Sequence, residues 1–299
     1  MELPQPMELP QPMELPPSHF PATRAGALAL GYLRYLRGGP GRGLGLREVR
    51  RARRQDIDGV GHKYYLELEL EDLLDKGRTV SCTAEVLYPL GSKSCAPDVQ
   101  VTVQGELRST EEADQEFYNG IRSLEKELVA ENIPDSHGNI PPELEPIYQL
   151  AWVASGYVSW QNSTENTLFN LAGVKHVKQV KRSDEDLQFD YVILIHDMVS
   201  QEVLAWQGIC MKEILAVQRG QVLFWGVLMC SVCPTGGAGL AGDLHEGNPG
   251  CSEGAVAVLG GVDVLCVPQE VLAWQVTLLW HPQRGARVSQ CQGPGPRNP

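Results

Sequence analysis

Cys230-x-x-Cys233 is the one spacing in the chain with the look of a metal or redox site. Two cysteines so placed can grip a tetrahedral zinc ion, which then needs two further soft ligands. Cys251 and Cys266 stand fifteen apart and form no second close pair. A redox role would want a βαβ unit beside the pair, and the neighbouring sequence offers none. The reading is free thiols, with no metal and no cofactor. The chain also lacks a GxxxxGK[ST] phosphate loop, a GxSxG nucleophile elbow and an HExxH zinc helix. Its seven histidines, at 19, 62, 137, 176, 196, 245 and 281, follow no triad order. The expectation is a protein that is not an enzyme.

Arg47, Arg50, Arg51, Arg53 and Arg54 form a basic cluster that could serve as a localisation signal or a nucleic-acid patch. It falls on an extended segment without aromatic residues between the arginines to stack on bases. A solvated strand edge, whose charges discourage further pairing, fits it better. The net charge of −12 and pI near 5.1 also argue against a broad phosphate-binding surface, so no nucleic-acid partner is expected. The longest apolar run, Val222 to Cys233 broken by Gly226, falls short of the ~20 residues of a membrane span. No membrane partner is expected either. Met-Glu-Leu-Pro-Gln-Pro at the N-terminus lacks a basic start and an apolar core, which points to the cytoplasm. There the eight cysteines should be thiols, and the Asn162-Ser163-Thr164 glycosylation pattern should stay unmodified.

The elements that must position any site divide the 299 residues, enough for roughly two domains at ~150 residues each. Residues 1–18 repeat a hexapeptide, MELPQP, MELPQP, MELPPS, whose prolines predict a disordered, extended arm. Residues 19–108 open with a helix carrying Ala25, Leu28, Tyr32 and Leu36 on one face, with Thr23 as N-cap and Gly38-Gly39 as stop. Extended segments follow at 44–57, 62–75, 78–90 and 98–107, divided by turns at Asp58-Gly59 and Lys76-Gly77. In the second of these, Tyr64, Leu66, Leu68 and Leu70 alternate with Tyr65, Glu67, Glu69 and Glu71, a sheet wet on one face.

A linking helix and loop occupy 109–140, with Ser109 and Glu112 at capping-box spacing and a stripe of Phe117, Ile121, Leu124 and Leu128. The order then repeats over 141–207. A helix bears Ile147, Leu150, Ala151, Ala154 and Val158, and strands follow near 167–182, 187–197 and 201–207. Gln-Glu-Val-Leu-Ala-Trp-Gln occurs at 201–207 and again at 269–275, bracketing a stretch rich in glycine and cysteine and poor in charge. Residues 208–275 are therefore expected to be a foreign, disordered insertion, with the second half resuming at 276–290 and a disordered tail at 291–299. A helix then antiparallel strands, twice, gives the fold class α+β.

Particular strings narrow this further. GHKYYLELELEDLL at 61–74, SCTAEVLYP at 81–89, ENIPDSHGNI at 131–140, LAWVASGYVSWQNSTENT at 150–167 and LLWHPQ at 278–283 resemble the latexin family, endogenous inhibitors of A-type metallocarboxypeptidases. The resemblance implies two cystatin-like subdomains, each a helix packed on a curved antiparallel sheet, joined by a linking helix. It implies a reversible proteinaceous inhibitor, a monomer when free, that blocks the active-site cleft of a zinc carboxypeptidase with a surface formed where the subdomains meet. The family's His-x-x-x-x-Gln segment maps onto His196 and Gln201, which become the expected inhibitory contacts. Solvation alone could also explain polar residues in the turn after such a strand. The eggshell matrix protein and the retinoid-responsive membrane protein resemble the same family, so a scaffold or matrix role is an alternative. A cysteine-protease inhibitor is another, but its QxVxG loop is met only by Gln100-Val101-Thr102-Val103-Gln104-Gly105, with the wrong spacing.

Overall fold

Alternation of apolar and polar residues makes two faces on every long strand, and each inner face is covered by one helix. The computed structural model describes residues 11–75, 77–91, 95–197, 256–259, 262–265 and 270–294. In the first half, helix α1 (Phe20–Arg37) crosses a five-stranded antiparallel sheet. Its strands are β1 (Met13–Leu15), β2 (Leu44–Ile57), β3 (Gly61–Asp72), β4 (Thr79–Pro89) and β5 (Asp98–Gln104), in that spatial order. Ala22, Ala25 and Ala29 let the helix lie close over Tyr64, Leu66 and Leu68 of β3. Helix α2 (Glu111–Ser123) and strand β6 (Val129–Ile133) lead into helix α3 (Glu145–Asn162). Strands β7 (Phe169–Val180) and β8 (Leu187–Asp197) follow. The hairpin β9 (Val256–Leu259) and β10 (Val262–Leu265) stands apart from both sheets. Strands β11 (Glu270–His281) and β12 (Gly285–Gln292) complete a second sheet of order β12-β11-β8-β7-β6.

The fold is α+β with two cystatin-like halves, as expected. The α3 face foreseen from periodicity (Ile147, Leu150, Ala151, Ala154, Val158) is buried, and so are Leu187, Phe189, Tyr191, Ile193 and Ile195 of β8. Helices α1 and α3 pack on each other as the two middle layers. They come so close that a Cβ on Gly156 would overlap the Gly31 carbonyl oxygen, whereas one on Gly31 would sit 3.7 Å from the Gly156 Cα. Beside this crossing the Arg34 guanidinium lies 4.1 Å from the centroid of the Trp152 ring and donates to the Leu44 carbonyl at 2.8 Å. Burial lowers its pKa to about 10, opposed by Tyr148, so it stays charged near neutrality.

Several expectations need correction. Residues 13–15 of the supposed disordered arm form β1, antiparallel to Ala52–Arg54 of β2. Helix α1 starts at Phe20 with Pro21 in its first turn, where a missing N–H costs nothing, and Thr23 Oγ1 merely bonds the His19 carbonyl at 3.3 Å. The Ser109/Glu112 capping box does not form; the N-cap is Thr110, whose hydroxyl is drawn to Asp114 Oδ2 at 2.6 Å. Asp114 Oδ1 in turn accepts from the Gly41 amide at 3.0 Å, tying α2 to the first half. Helix α2 ends at Ser123, so Leu124 is left exposed while Phe117 and Ile121 pack on the second core.

The largest correction concerns the insertion. Glu270–Gln275, expected within the foreign stretch, is the first half of β11 and pairs with Val192–Asp197 of β8. The reason is covalent: only the second heptapeptide runs unbroken into Val276, whereas the first is followed by Gly208. Trp274, the tryptophan of the second heptapeptide, thereby takes a place in the second core. Residues 256–259 and 262–265 of the same stretch also pair, as β9 and β10. At the tail, Cys291 and Gln292 continue β12 opposite Val276 and Gln275. The first heptapeptide, the Cys230-x-x-Cys233 pair, Cys210, Cys251 and Cys266 lie outside the described residues.

Candidate inhibitory surface

His196 sits near the end of β8, opposite Asn170 of β7 and Val271 of β11. Its neighbours Ile193 and Ile195 alternate into the core, so strand periodicity turns the imidazole to the outer face of the second sheet. The ring is half-buried; its Nδ1 atom is covered and meets no hydrogen-bond partner among the described residues. Desolvation lowers its pKa below the ordinary histidine value, which keeps it neutral near physiological pH. A neutral imidazole offers one donor and one acceptor. Because the folded form resists protonation, acidification below ~6.5 works against the fold at this position. Val271, directly across the ladder, is 46% exposed and gives the histidine an apolar neighbour on the open face. Gln201, the second expected contact, lies outside the described residues.

Where the halves meet, charge concentrates on Glu165, in the loop from α3 to β7. Its carboxylate accepts from Tyr64 Oη, lies 2.6 Å from His62 Nδ1 and 3.6 Å from Arg54 Nη1. Arg24 of α1 donates to its backbone carbonyl at 3.3 Å. Desolvation, then the bond to Glu165, raise the Tyr64 pKa, so the phenol remains a donor. The latch joins β2 and β3 to the second half, and Trp160 Nε1 adds a bond to the Pro97 carbonyl at 3.1 Å. Sequence reasoning missed Glu165, because nothing in its spacing announces a partner a hundred residues away.

The basic cluster resolves into pairs. Arg47 and Arg50 both reach Glu69, Arg51 reaches Glu14 and Glu67, and Arg54 reaches Asp56 and Glu165. Glu69, expected on the wet face, is consequently only 7% exposed. Burial pushes its pKa up, but the Thr79 and Arg50 hydrogen bonds outweigh it and hold the carboxyl below the usual range. Aromatic rings do accompany the arginines, from the neighbouring strand: Arg53 lies 5.7 Å from the Tyr65 ring and Arg54 6.0 Å from that of Tyr64. The edge is also less open than expected, since β1 covers part of it. A cleft of about 260 Å³ crosses this outer face between Arg51, Arg53, Tyr65, Glu67, Thr83 and Gln100, remote in sequence from His196.

Among the described residues no group of three or more His, Cys, Asp or Glu side chains could hold a metal ion. No helix among them is long and apolar enough to cross a membrane. Cys82 is buried, and burial pushes its thiol up to about 11, whereas Cys95 and Cys291 are exposed and unpaired.

Comparison with known proteins agrees with the geometry. The family model described as latexin matches residues 15–212. Mouse (Mus musculus) latexin is 44% identical over 192 residues, which span 64% of this chain and 86% of that protein. Human (Homo sapiens) latexin matches to the same extent. Chicken (Gallus gallus) ovocalyxin-32 is 35% identical over 201 residues, 67% of this chain and 73% of its own length. With two helix-on-sheet halves in the expected order and this match across two thirds of its length, the chain belongs to the latexin family.

Proposed function

We propose that this protein is a reversible inhibitor of A-type zinc metallocarboxypeptidases that blocks their active-site cleft and is itself no enzyme. Membership of the latexin family is the observation that carries the reading. The contact surface, formed where the halves meet, includes His196, near the end of β8, and Gln201. A neutral imidazole, one of whose nitrogens meets no partner among the described residues, flanked by the exposed Val271, suits a water-poor protein contact. A glutamine amide can present its oxygen or its nitrogen to polar groups of a substrate-carboxylate subsite without offering a scissile bond.

The test is titration of the pure protein into a carboxypeptidase A assay, with papain in parallel. Loss of carboxypeptidase activity at micromolar inhibitor is expected, with papain untouched. The reverse pattern would support the cysteine-protease reading, and no effect on either enzyme a scaffold role. Within the site, His196→Ala with Gln201→Ala should weaken inhibition and leave the fold intact. Buried contacts at such surfaces are each worth ~2 kcal/mol or more. The heptapeptide headed by Gln201 recurs from Gln269, and β11 begins at the very next residue, Glu270. His196→Ala with Gln269→Ala is therefore the matching second arm.

A further inference from the structure

Strand β1 is three residues long, and everything that seats it can be named. Met13, Glu14 and Leu15 stand opposite Arg54, Arg53 and Ala52 of β2. Glu14 accepts from Arg51 Nη2 at 2.5 Å and from Arg51 Nε at 3.4 Å. Leu15 turns inward against the first core, while Met13 stays 60% exposed. Pro16 follows, and without an N–H it ends the ladder. The seat thus reads a carboxylate for Arg51, one apolar side chain pointing inward, and a proline stop.

The chain carries that tripeptide and its proline three times: Met1-Glu2-Leu3-Pro4, Met7-Glu8-Leu9-Pro10 and Met13-Glu14-Leu15-Pro16. β2 runs only three residues past Arg54, to Ile57, so a copy seated at Ala52–Arg54 leaves no room on that strand for a second. Residues 1–10 lie outside the described residues. We propose that the β2 edge at Ala52–Arg54 is a general seat for this tripeptide and takes Met7–Leu9 in place of Met13–Leu15 by a six-residue slip of the arm. On the β2 side nothing distinguishes the copies, since Glu8 would bring the same carboxylate to Arg51 and Leu9 the same side chain to the core; the third copy's Pro16 carbonyl also accepts from the His19 amide at 2.9 Å. The slip lengthens the link between β1 and α1 by six residues, and closing a loop costs only slightly more as it grows. A tethered copy sees the seat at an effective concentration of ~1 mM, which favours the arm of the same molecule over that of a second one at micromolar protein. When the arm slips, Met13-Glu14-Leu15-Pro16 is released as an extended acidic peptide.

Residues directly opposite across an antiparallel ladder are close enough for a disulfide. Glu14→Cys with Arg53→Cys in the full chain should cross-link on mild oxidation and shows that the seat tolerates the bond. The decisive chain carries Glu8→Cys and Arg53→Cys, with Met13-Glu14-Leu15 replaced by Gly-Ser-Gly. It should yield a cross-link of monomer mass that is absent without Glu8→Cys. In the same replacement without the added cysteines, amide exchange across Ala52–Arg54 should stay within about threefold of the unaltered chain. Removing residues 1–18 altogether should accelerate that exchange about tenfold or more. Absence of the cross-link, or exchange as fast as in the truncated chain, would overturn the proposal. A cross-link of dimer mass would overturn it too, by assigning the seat to the arm of a second molecule.

Discussion

The two halves share a plan and differ in what fills it. The first core buries five alanines, Ala22, Ala25, Ala29, Ala52 and Ala84, among leucines of α1 and β3, and its buried aromatic rings are Tyr64 and Tyr88. Among the described residues the second buries more side chains and more aromatic rings, the latter being Phe189, Tyr191, Trp274, Trp280 and Tyr148. Phe117 of α2 joins them, edge-on to Trp280 at 5.7 Å and 6.3 Å from Phe189. In the first half every pair of neighbouring strands is also consecutive in the chain; in the second, β8 and β11 are neighbours although residues 198–269 run between them. Large aromatic side chains supply much apolar area per residue, so the half with the longest detour is the one with the most concentrated core. A stretch of chain can be tolerated where a few strong contacts define the strand on its far side.

If that comparison holds, truncation should hurt the second half more. Phe189→Ala is expected to cost about 3–5 kcal/mol and Leu68→Ala about 2–5 kcal/mol, read as shifts in denaturation midpoint. Equal or reversed shifts would break the contrast. The buried Cys82 thiol, whose high pKa makes it inert, supplies an independent signal, because its labelling by a thiol reagent reports opening of the first half alone. Phe189→Ala should lower the overall midpoint before it accelerates Cys82 labelling.

The contact between the halves is asymmetric and gives a sharper test. Gly156→Ala forces its new methyl onto the Gly31 carbonyl, and should destabilise by about 1–3 kcal/mol as overpacking does. Gly31→Ala meets ordinary contact distances and should be tolerated far better. Equal losses in thermal unfolding would mean that the helices do not cross as described.

Charge follows one plan in both halves, a buried carboxylate between two arginines: Glu69 with Arg47 and Arg50 in the first, Asp186 with Arg284 and Arg287 in the second. Asp186, at the start of β8, is 8% exposed and accepts from Arg284 at 2.7 Å and Arg287 at 2.7 Å. Burial pulls its pKa up, but the two arginines outweigh that and hold it below the ordinary carboxylate range. A depressed carboxylate stabilises the fold above its unfolded pKa of ~3.9, and that contribution is lost as pH falls through the lower folded value. Asp186→Asn should therefore cost about 1–3 kcal/mol at neutral pH and flatten the acid limb of stability against pH. An unchanged acid limb would count against the ion pairs.

A deletion tests the detour itself. Deleting 208–275 gives the same chain as deleting 201–268, because the bracketing heptapeptides are identical. In the product, Glu202–Gln207 should assume the register of Glu270–Gln275 against β8. Shortening the connection between β8 and the next strand amounts to about four halvings at ~0.6 kcal/mol each, so stability should hold or rise by up to ~2.5 kcal/mol. Solubility should improve, with inhibition equal or stronger. Failure to fold would make the removed stretch structural.

Periodicity made the strand and helix faces legible wherever burial follows from the residue's own neighbours, as along α3 and β8. It failed where burial depends on a partner brought in by register. Glu69 alternates as an outward residue, yet Arg47 and Arg50 cover it; the tyrosines beside Arg53 and Arg54 come from β3, invisible in the spacing of β2. Identity of sequence defeated it in another way, since no pattern within the heptapeptide says which copy enters the sheet. His196 faces outward on β8 by simple alternation with Ile195, while its covered nitrogen depends on the neighbouring strands.

Arg34 over Trp152 turns the helix crossing into an optical gauge. The guanidinium belongs to α1 and the indole to α3, so the separation of the halves sets the electrostatic field on one chromophore. Tyr32 and Tyr35 of the first half lie 4.9 and 5.9 Å from the Trp160 ring of the second, within range for excitation to pass between them. Any rocking of one half against the other should alter tyrosine-to-tryptophan transfer and the emission of Trp152 without an added dye.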